Sequence, residues 1–161
     1  MSQKINLRVW LKIPDAEAAT VKNTLVRRLG YGNVLDDVRK ERLFIIEVDS
    51  GDPLELAKSF AKELVNENKE SHLVLIDHLL FEEGYVPVKV ALHIEDGEAI
   101  SIRERLRSRL GFENVVDVKK ATIWKLYFNT LKPEAEMMAG EIAERLLINA
   151  HKDTYEIMMM R

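Results

Sequence analysis

The stretch RRLGYGNVLDDVRK at Arg27–Lys40 returns about eighty positions later as RSRLGFENVVDVKK at Arg107–Lys120. Self-similarity at so long a period marks two copies of one small domain, because a duplicated supersecondary unit keeps its turns and core positions while its surface drifts. The chain of 161 residues then divides into repeat 1 at 1–78, a linker at 79–85 and repeat 2 at 86–161. A unit of this size buries only about 60% of the surface its unfolded chain exposes, so each repeat is expected to gain stability by packing on its twin.

Composition narrows the function classes. Hydrophobic residues make up 47% and charged residues 32%, the profile of a charge-rich globular protein. The longest apolar runs, such as Leu73–Ile76, are far too short to span a bilayer, and no signal peptide opens the sequence. There is no cysteine, which excludes disulfides, thiolate metal sites and cysteine nucleophiles and fits a cytoplasmic location. A formal net charge of −3 gives no overall attraction to nucleic acid or to an anionic membrane.

Each repeat reads as β-α-β-β-α-β. Ile5, Leu7, Val9, Leu11 and Ile13 alternate with Asn6, Arg8, Trp10 and Lys12, the period of a half-buried strand, and Val88, Val90, Leu92 and Ile94 repeat the pattern. Both strands run into Asp-x-Glu-Ala, at Asp15–Ala18 and Asp96–Ala99, which supplies a helix with an N-cap acceptor and a first-turn acid. Val21, Leu25 and Leu29, and likewise Ile102, Leu106 and Leu110, form one apolar stripe per helix. Gly30 and Gly111 follow as helix stops. The runs VLDDVRK and RLFIIEV, then VVDVKK and TIWKLYF, predict a hairpin with a charged turn in each repeat. Asp52-Pro53 and Lys132-Pro133 open second helices, striped by Leu56, Phe60, Leu64 and by Met138, Ile142, Leu146. Closing strands are predicted at Ser71–Ile76 and Thr154–Met159. The fold class is therefore α+β: two tandem units, with an antiparallel sheet carrying its helices on one face.

The third strands break the expected alternation. Leu43, Phe44, Ile45 and Ile46 are all apolar, as are Ile123, Trp124, Leu126, Tyr127 and Phe128 but for Lys125, so both sheet faces require cover. Trp10, Phe44, Trp124 and Phe128 are accordingly expected at an interface between repeats or between chains.

A catalytic set does not emerge from the sequence. His72, His78, His93 and His151 show no metal-ligand spacing, so no metal or other cofactor is predicted. Gly30-Tyr31-Gly32 offers a Gly-x-Gly, but it follows a helix and its copy, Gly111-Phe112-Glu113, keeps only the first glycine; this is a helix stop and not a phosphate cradle. Basic residues recur at equivalent places in the two predicted hairpins: Arg39, Lys40 and Arg42, with Lys119 and Lys120. The aromatic motif of an RNA-recognition fold is missing, so these residues are assigned to contact with a partner protein's acidic surface.

Several of these motifs together resemble a known family. A hydrophobic strand, a helix ending in Leu29-Gly30-Tyr31, a turn strand through Val34, Asp37, Val38 and Arg39, and a proline-led helix follow in order. The second copy repeats this with Leu110, Gly111, Phe112, Val115, Asp117, Val118 and Lys119, and closes on Leu146, Leu147, Asn149, Asp153, Tyr155, Glu156 and Ile157. This order resembles PurS, the small subunit of phosphoribosylformylglycinamidine synthase, each repeat being similar to one protomer. The resemblance implies a non-catalytic subunit that holds a glutaminase (PurQ) against an ATP-using synthetase (PurL), with ammonia from glutamine converting formylglycinamide ribonucleotide to the amidine. It also implies that the fused pair supplies the family's dimer in one chain, and that two such chains form a homodimer. A tandem ACT-like regulatory domain that binds an amino acid shares the β-α-β-β-α-β order and is the alternative; its glycine-bearing loop is half present, in Asp96-Gly97 but not in Asp15-Ala16.

Overall fold

A computed structural model describes residues 2–158. Its elements run β1 Gln3–Leu11, α1 Ala16–Arg27, β2 Leu35–Val48, α2 Pro53–Leu64 and β3 Glu70–Ile76 in the first repeat. The second gives β4 Val86–Leu92, α3 Gly97–Glu104 with a π-helical continuation at Arg105–Arg109, β5 Val115–Phe128, α4 Lys132–Ile142 with a π-helical continuation at Ala143–Leu147, and β6 Asp153–Ile157. The class is α+β, as expected, with a six-stranded sheet in the order β3-β1-β2-β5-β4-β6. β1 pairs antiparallel with β2 and β3, and β4 with β5 and β6. Met159, the end of the predicted last strand, lies outside the described residues.

The predicted hairpins are corrected. β2 and β5 are each one continuous strand of 14 residues, about 46 Å at the rise of an extended chain. The charged segment Arg39–Arg42 contains no Gly, Pro, Asn or Asp, the residues that supply turn conformations. Side chains there simply alternate between the faces of a strand. Burial in β2 and β5 follows one pattern at a fixed offset. Leu35, Val38, Leu43, Phe44 and Ile46 are buried, as are Val115, Val118, Ile123, Trp124 and Leu126, each 80 positions on.

Two compact units divide the chain, and each draws on both repeats. The first consists of Met1–Lys12, Arg42–Leu79 and Glu95–Ala121; the second of Ile13–Glu41, Leu80–Ile94 and Thr122–Arg161. In the first unit, Ile5, Leu7, Phe44, Ile46 and Phe60 share a core with Ala99, Ile102 and Leu106 of α3 and its π turn, and with Val115 and Val118. Phe60 meets Phe112 edge to face, with ring centroids 5.2 Å apart, a favoured aromatic geometry. In the second unit, Ala18, Leu25, Tyr31, Leu35 and Val38 pack with Val88, Trp124, Leu126, Ala139 and Ile142. The first helix of each repeat thus packs in the unit built mainly from the other repeat's strands.

Local signals behave as the sequence predicts. Asp15 Oδ1 accepts from the N–H groups of Glu17 and Ala18 at 2.9 and 3.1 Å, and Asp96 Oδ1 from those of Glu98 and Ala99 at 3.0 and 3.1 Å; such caps contribute about 1 kcal/mol each. Gly30 and Gly111 adopt φ of +84° and +77° beyond the ends of α1 and α3, the left-handed stop that glycine permits. One stripe residue departs. Leu110 is exposed, because it follows the π-helical turn, whose wider winding rotates it off the line of Ile102 and Leu106.

Candidate functional site

The five basic residues predicted to meet a partner divide into those already engaged and those turned outward. Lys40 Nζ lies 2.7 Å from Glu17 Oε2 and 3.7 Å from Asp15 Oδ2, and 5.9 Å from the centroid of Trp124. Lys120, its counterpart, lies 2.9 Å from Glu98 Oε2. Both lysines therefore tie a long strand to the acidic first turn of a helix. Arg42 Nη2 is 2.6 Å from Glu70 Oε2 and its guanidinium stacks 5.2 Å above Phe44. Arg39 is different: its side chain is 64% exposed and stacks 5.2 Å over Tyr127. Its Nε donates to Asp37 Oδ2 at 3.1 Å, and this hydrogen bond holds the guanidinium above its ordinary pKa range. Lys119 is exposed.

The four apolar residues predicted at an interface do not form one patch. Phe44 is buried in the core of the first unit and Trp124 in that of the second. Trp10 is half-buried opposite Ser71. Phe128 is half-buried and lines a cavity of about 350 Å³ together with Tyr85, Pro87, Leu126 and Ala135.

What the sequence missed is the cover supplied by the connecting segment. In the first unit, Asn6 Nδ2 donates to the His78 carbonyl at 2.6 Å and Lys4 N–H to Asp77 Oδ1 at 2.8 Å. In the second, Phe81 and Tyr85 are buried, Tyr85 meets Tyr127 at 5.2 Å, and Tyr85 Oη donates to Glu82 Oε1 at 2.7 Å. Lys125 Nζ lies 5.0 Å from the Tyr85 ring and 2.9 Å from Glu41 Oε2. The residues between the repeats are packed protein and not a loose tether. Their signal was present in Leu79, Leu80, Phe81 and Tyr85, an apolar density that a solvated linker does not carry.

Chemically, this arrangement offers surfaces and ion pairs. Among the described residues no three His, Asp or Glu side chains converge to hold a metal ion, and no helix is long and apolar enough to cross a membrane. No curated protein matches the chain. Residues 85–161 match the family model of PurS, described as phosphoribosylformylglycinamidine (FGAM) synthase. That span begins at Tyr85 of the packed connection and takes in β4, α3, β5, α4 and β6; over these residues the chain carries a PurS domain, consistent with a PurS-type subunit.

Proposed function

We propose that this chain is a non-catalytic subunit of phosphoribosylformylglycinamidine synthase that bridges the glutaminase and synthetase subunits in the cytoplasm. The family match over residues 85–161 carries the reading and ties the chain to FGAM synthase and purine biosynthesis. In that role the chain supplies a scaffold, while glutamine hydrolysis and ATP-dependent amidation take place on its partners. The duplication favours the same reading. Each compact unit combines strands and helices of both repeats, so one chain supplies what two single-repeat protomers would have to assemble. Two such chains form a homodimer.

Arg39 and Lys119 are equivalent positions of β2 and β5, and both are exposed. They are the basic residues best placed for an acidic partner surface. Exposed charges of this kind govern association rate and orientation more than stability.

Affinity capture of the full chain from a native lysate, with bound proteins identified by mass spectrometry, tests the proposal. The expected result is recovery of an ATP-dependent synthetase and a glutaminase, reduced for R39E/K119E with an unchanged melting temperature. Recovery of neither, together with purine prototrophy after deletion of the gene, overturns it.

A further inference from the structure

β3 and β6 are the outermost strands of the sheet order and are the same strand in the two repeats, each following an asparagine turn. Asn66 N–H bonds Glu70 Oε1 as Asn149 N–H bonds Asp153 Oδ2. Counted from those turns, Leu73 corresponds to Glu156. The two edges are guarded differently.

β3 opens on Glu70, the counterpart of Asp153, and from Ser71 to Ile76 carries no acidic or basic chain apart from His72, no proline and no glycine; Leu73 is exposed. Natural edges are normally protected by charge, proline or a bulge. β6 has that protection in its middle, where Glu156 stands at the position of Leu73.

The backbone of β3 settles which groups face its open edge. Asp77 N–H donates to Lys4 O and Lys12 N–H to Lys69 O, both at 2.8 Å, while β1 pairs Asn6 with Leu75 and Arg8 with Leu73. Odd-numbered residues therefore turn their N–H and C=O groups towards β1. Those of His72, Val74 and Ile76 point away from it.

We infer that the β3 edge is a self-recognition surface, on which a second copy of this chain pairs antiparallel about a two-fold axis at Val74. Only registers that set even residues opposite even ones satisfy the outward backbone groups. Centred on Val74, Leu73 faces the partner's Leu75 and His72 faces the partner's Ile76. The adjacent register places even residues opposite odd ones and fails on backbone geometry. The chosen register forms roughly six backbone hydrogen bonds and sets the exposed Leu73 against the partner's half-buried Leu75. Because the middle of β3 carries Leu73 where β6 carries Glu156, the contact is isologous and closes at two chains; two open edges would propagate into a filament. The inference rests on the homodimer proposed above and names its surface.

Light scattering after size exclusion, over a range of concentrations of the full chain, tests it. The wild type is expected at twice the chain mass, and H72P and L73K at the single-chain mass with unchanged far-UV circular dichroism. His72 is exposed and its N–H faces the edge, where proline is tolerated in a strand. E156K, on the other edge, is expected to stay dimeric. A single-chain wild type at every concentration, or a dimer that persists in both H72P and L73K, overturns the proposal. Synthetase capture by the same variants separates the two readings. Capture retained by single-chain H72P leaves the assembly role standing on its own. A single-chain wild type whose capture is lost in H72P assigns the edge to a strand of the synthetase and sinks self-recognition.

Discussion

Glu41 Oε2 lies 2.9 Å from Lys125 Nζ within the second unit, and Glu41 is only 1% exposed. The positions equivalent to this pair, 80 residues removed from each, hold Ala121 and Ile45. One of two symmetry-related sites is therefore a buried ion pair and the other is apolar. If a repeat paired with a copy of itself, Glu41 would face an isoleucine, or Lys125 an alanine. Only the pairing of unlike repeats matches charge with charge. Removing one partner of such a pair costs about 3–5 kcal/mol, whereas an apolar replacement of both is close to neutral. E41A is expected to lose that much in urea denaturation. E41A/K125I should regain most of it, while forming chain-exchanged oligomers when refolded at high concentration.

Trp124 is 5% exposed and packs in a core with Leu25, Val88 and Leu126. Its burial inside a single chain changes what its removal should do. W124A is expected to cost about 3–5 kcal/mol through the cavity it leaves. The loss should appear in equilibrium unfolding of the isolated chain at any concentration, and a change confined to oligomer size would contradict this assignment.

A Cβ on Gly30 or Gly111 would meet nothing within 4 Å. The cost of G30A or G111A therefore comes from the left-handed backbone alone, about 1–2 kcal/mol each. Because the two sites lie in different compact units and share no partner, the double variant should lose the sum of the two. Thermal denaturation of the three variants measures both points.

Asp77 combines a left-handed backbone, φ +61°, with a side chain that accepts from Lys4 N–H at 2.8 Å and from Gln3 Nε2 at 3.3 Å. Chiefly the Lys4 hydrogen bond, then that of Gln3, hold its carboxyl below the ordinary aspartate range. The folded state therefore prefers the ionised form. Its contribution is present above the unfolded value of about 3.9 and is lost as pH falls through the lower folded value. NMR titration of the Asp77 carboxyl should show the depressed midpoint, and D77N should flatten stability below about pH 4.

Tyr155 Oη donates to Glu144 Oε1 at 2.9 Å, and this bond, with burial and the carboxylate charge behind it, raises the phenol's pKa. The sign is opposite to that of Asp77. The contribution is complete below the unfolded value of about 10 and is lost as pH rises through the folded one. Y155F should remove that alkaline dependence, as read by melting temperature against pH.

Much of the local structure was legible because it is written in short-range chemistry. Asp15 and Asp96 cap their helices, Gly30 and Gly111 stop them, and Leu25 and Leu106 lie in cores, all from spacings of a few residues. The expected hairpins are absent because Arg39–Arg42, though charged like a turn, contains no turn-forming residue. Of the candidate site, Arg39 and Lys119 are exposed, whereas Lys40, Lys120 and Arg42 find acids within the chain. Those acids, Glu17, Glu98 and Glu70, are 22 to 28 residues away in sequence, beyond the reach of periodicity.

By itself the sequence determined the internal similarity, the α+β class, the helix starts and stops and the PurS match over residues 85–161, since each depends on residue types at fixed local offsets. Only the tertiary structure decided which helix serves which set of strands. The stripes of α1 and α3 are near copies, so either could pack on either set of strands and local pattern cannot choose between them. The choice follows from two strands that run on for 14 residues where turns were expected. It is reinforced by one buried pair, Glu41 and Lys125, whose charges match only across unlike repeats.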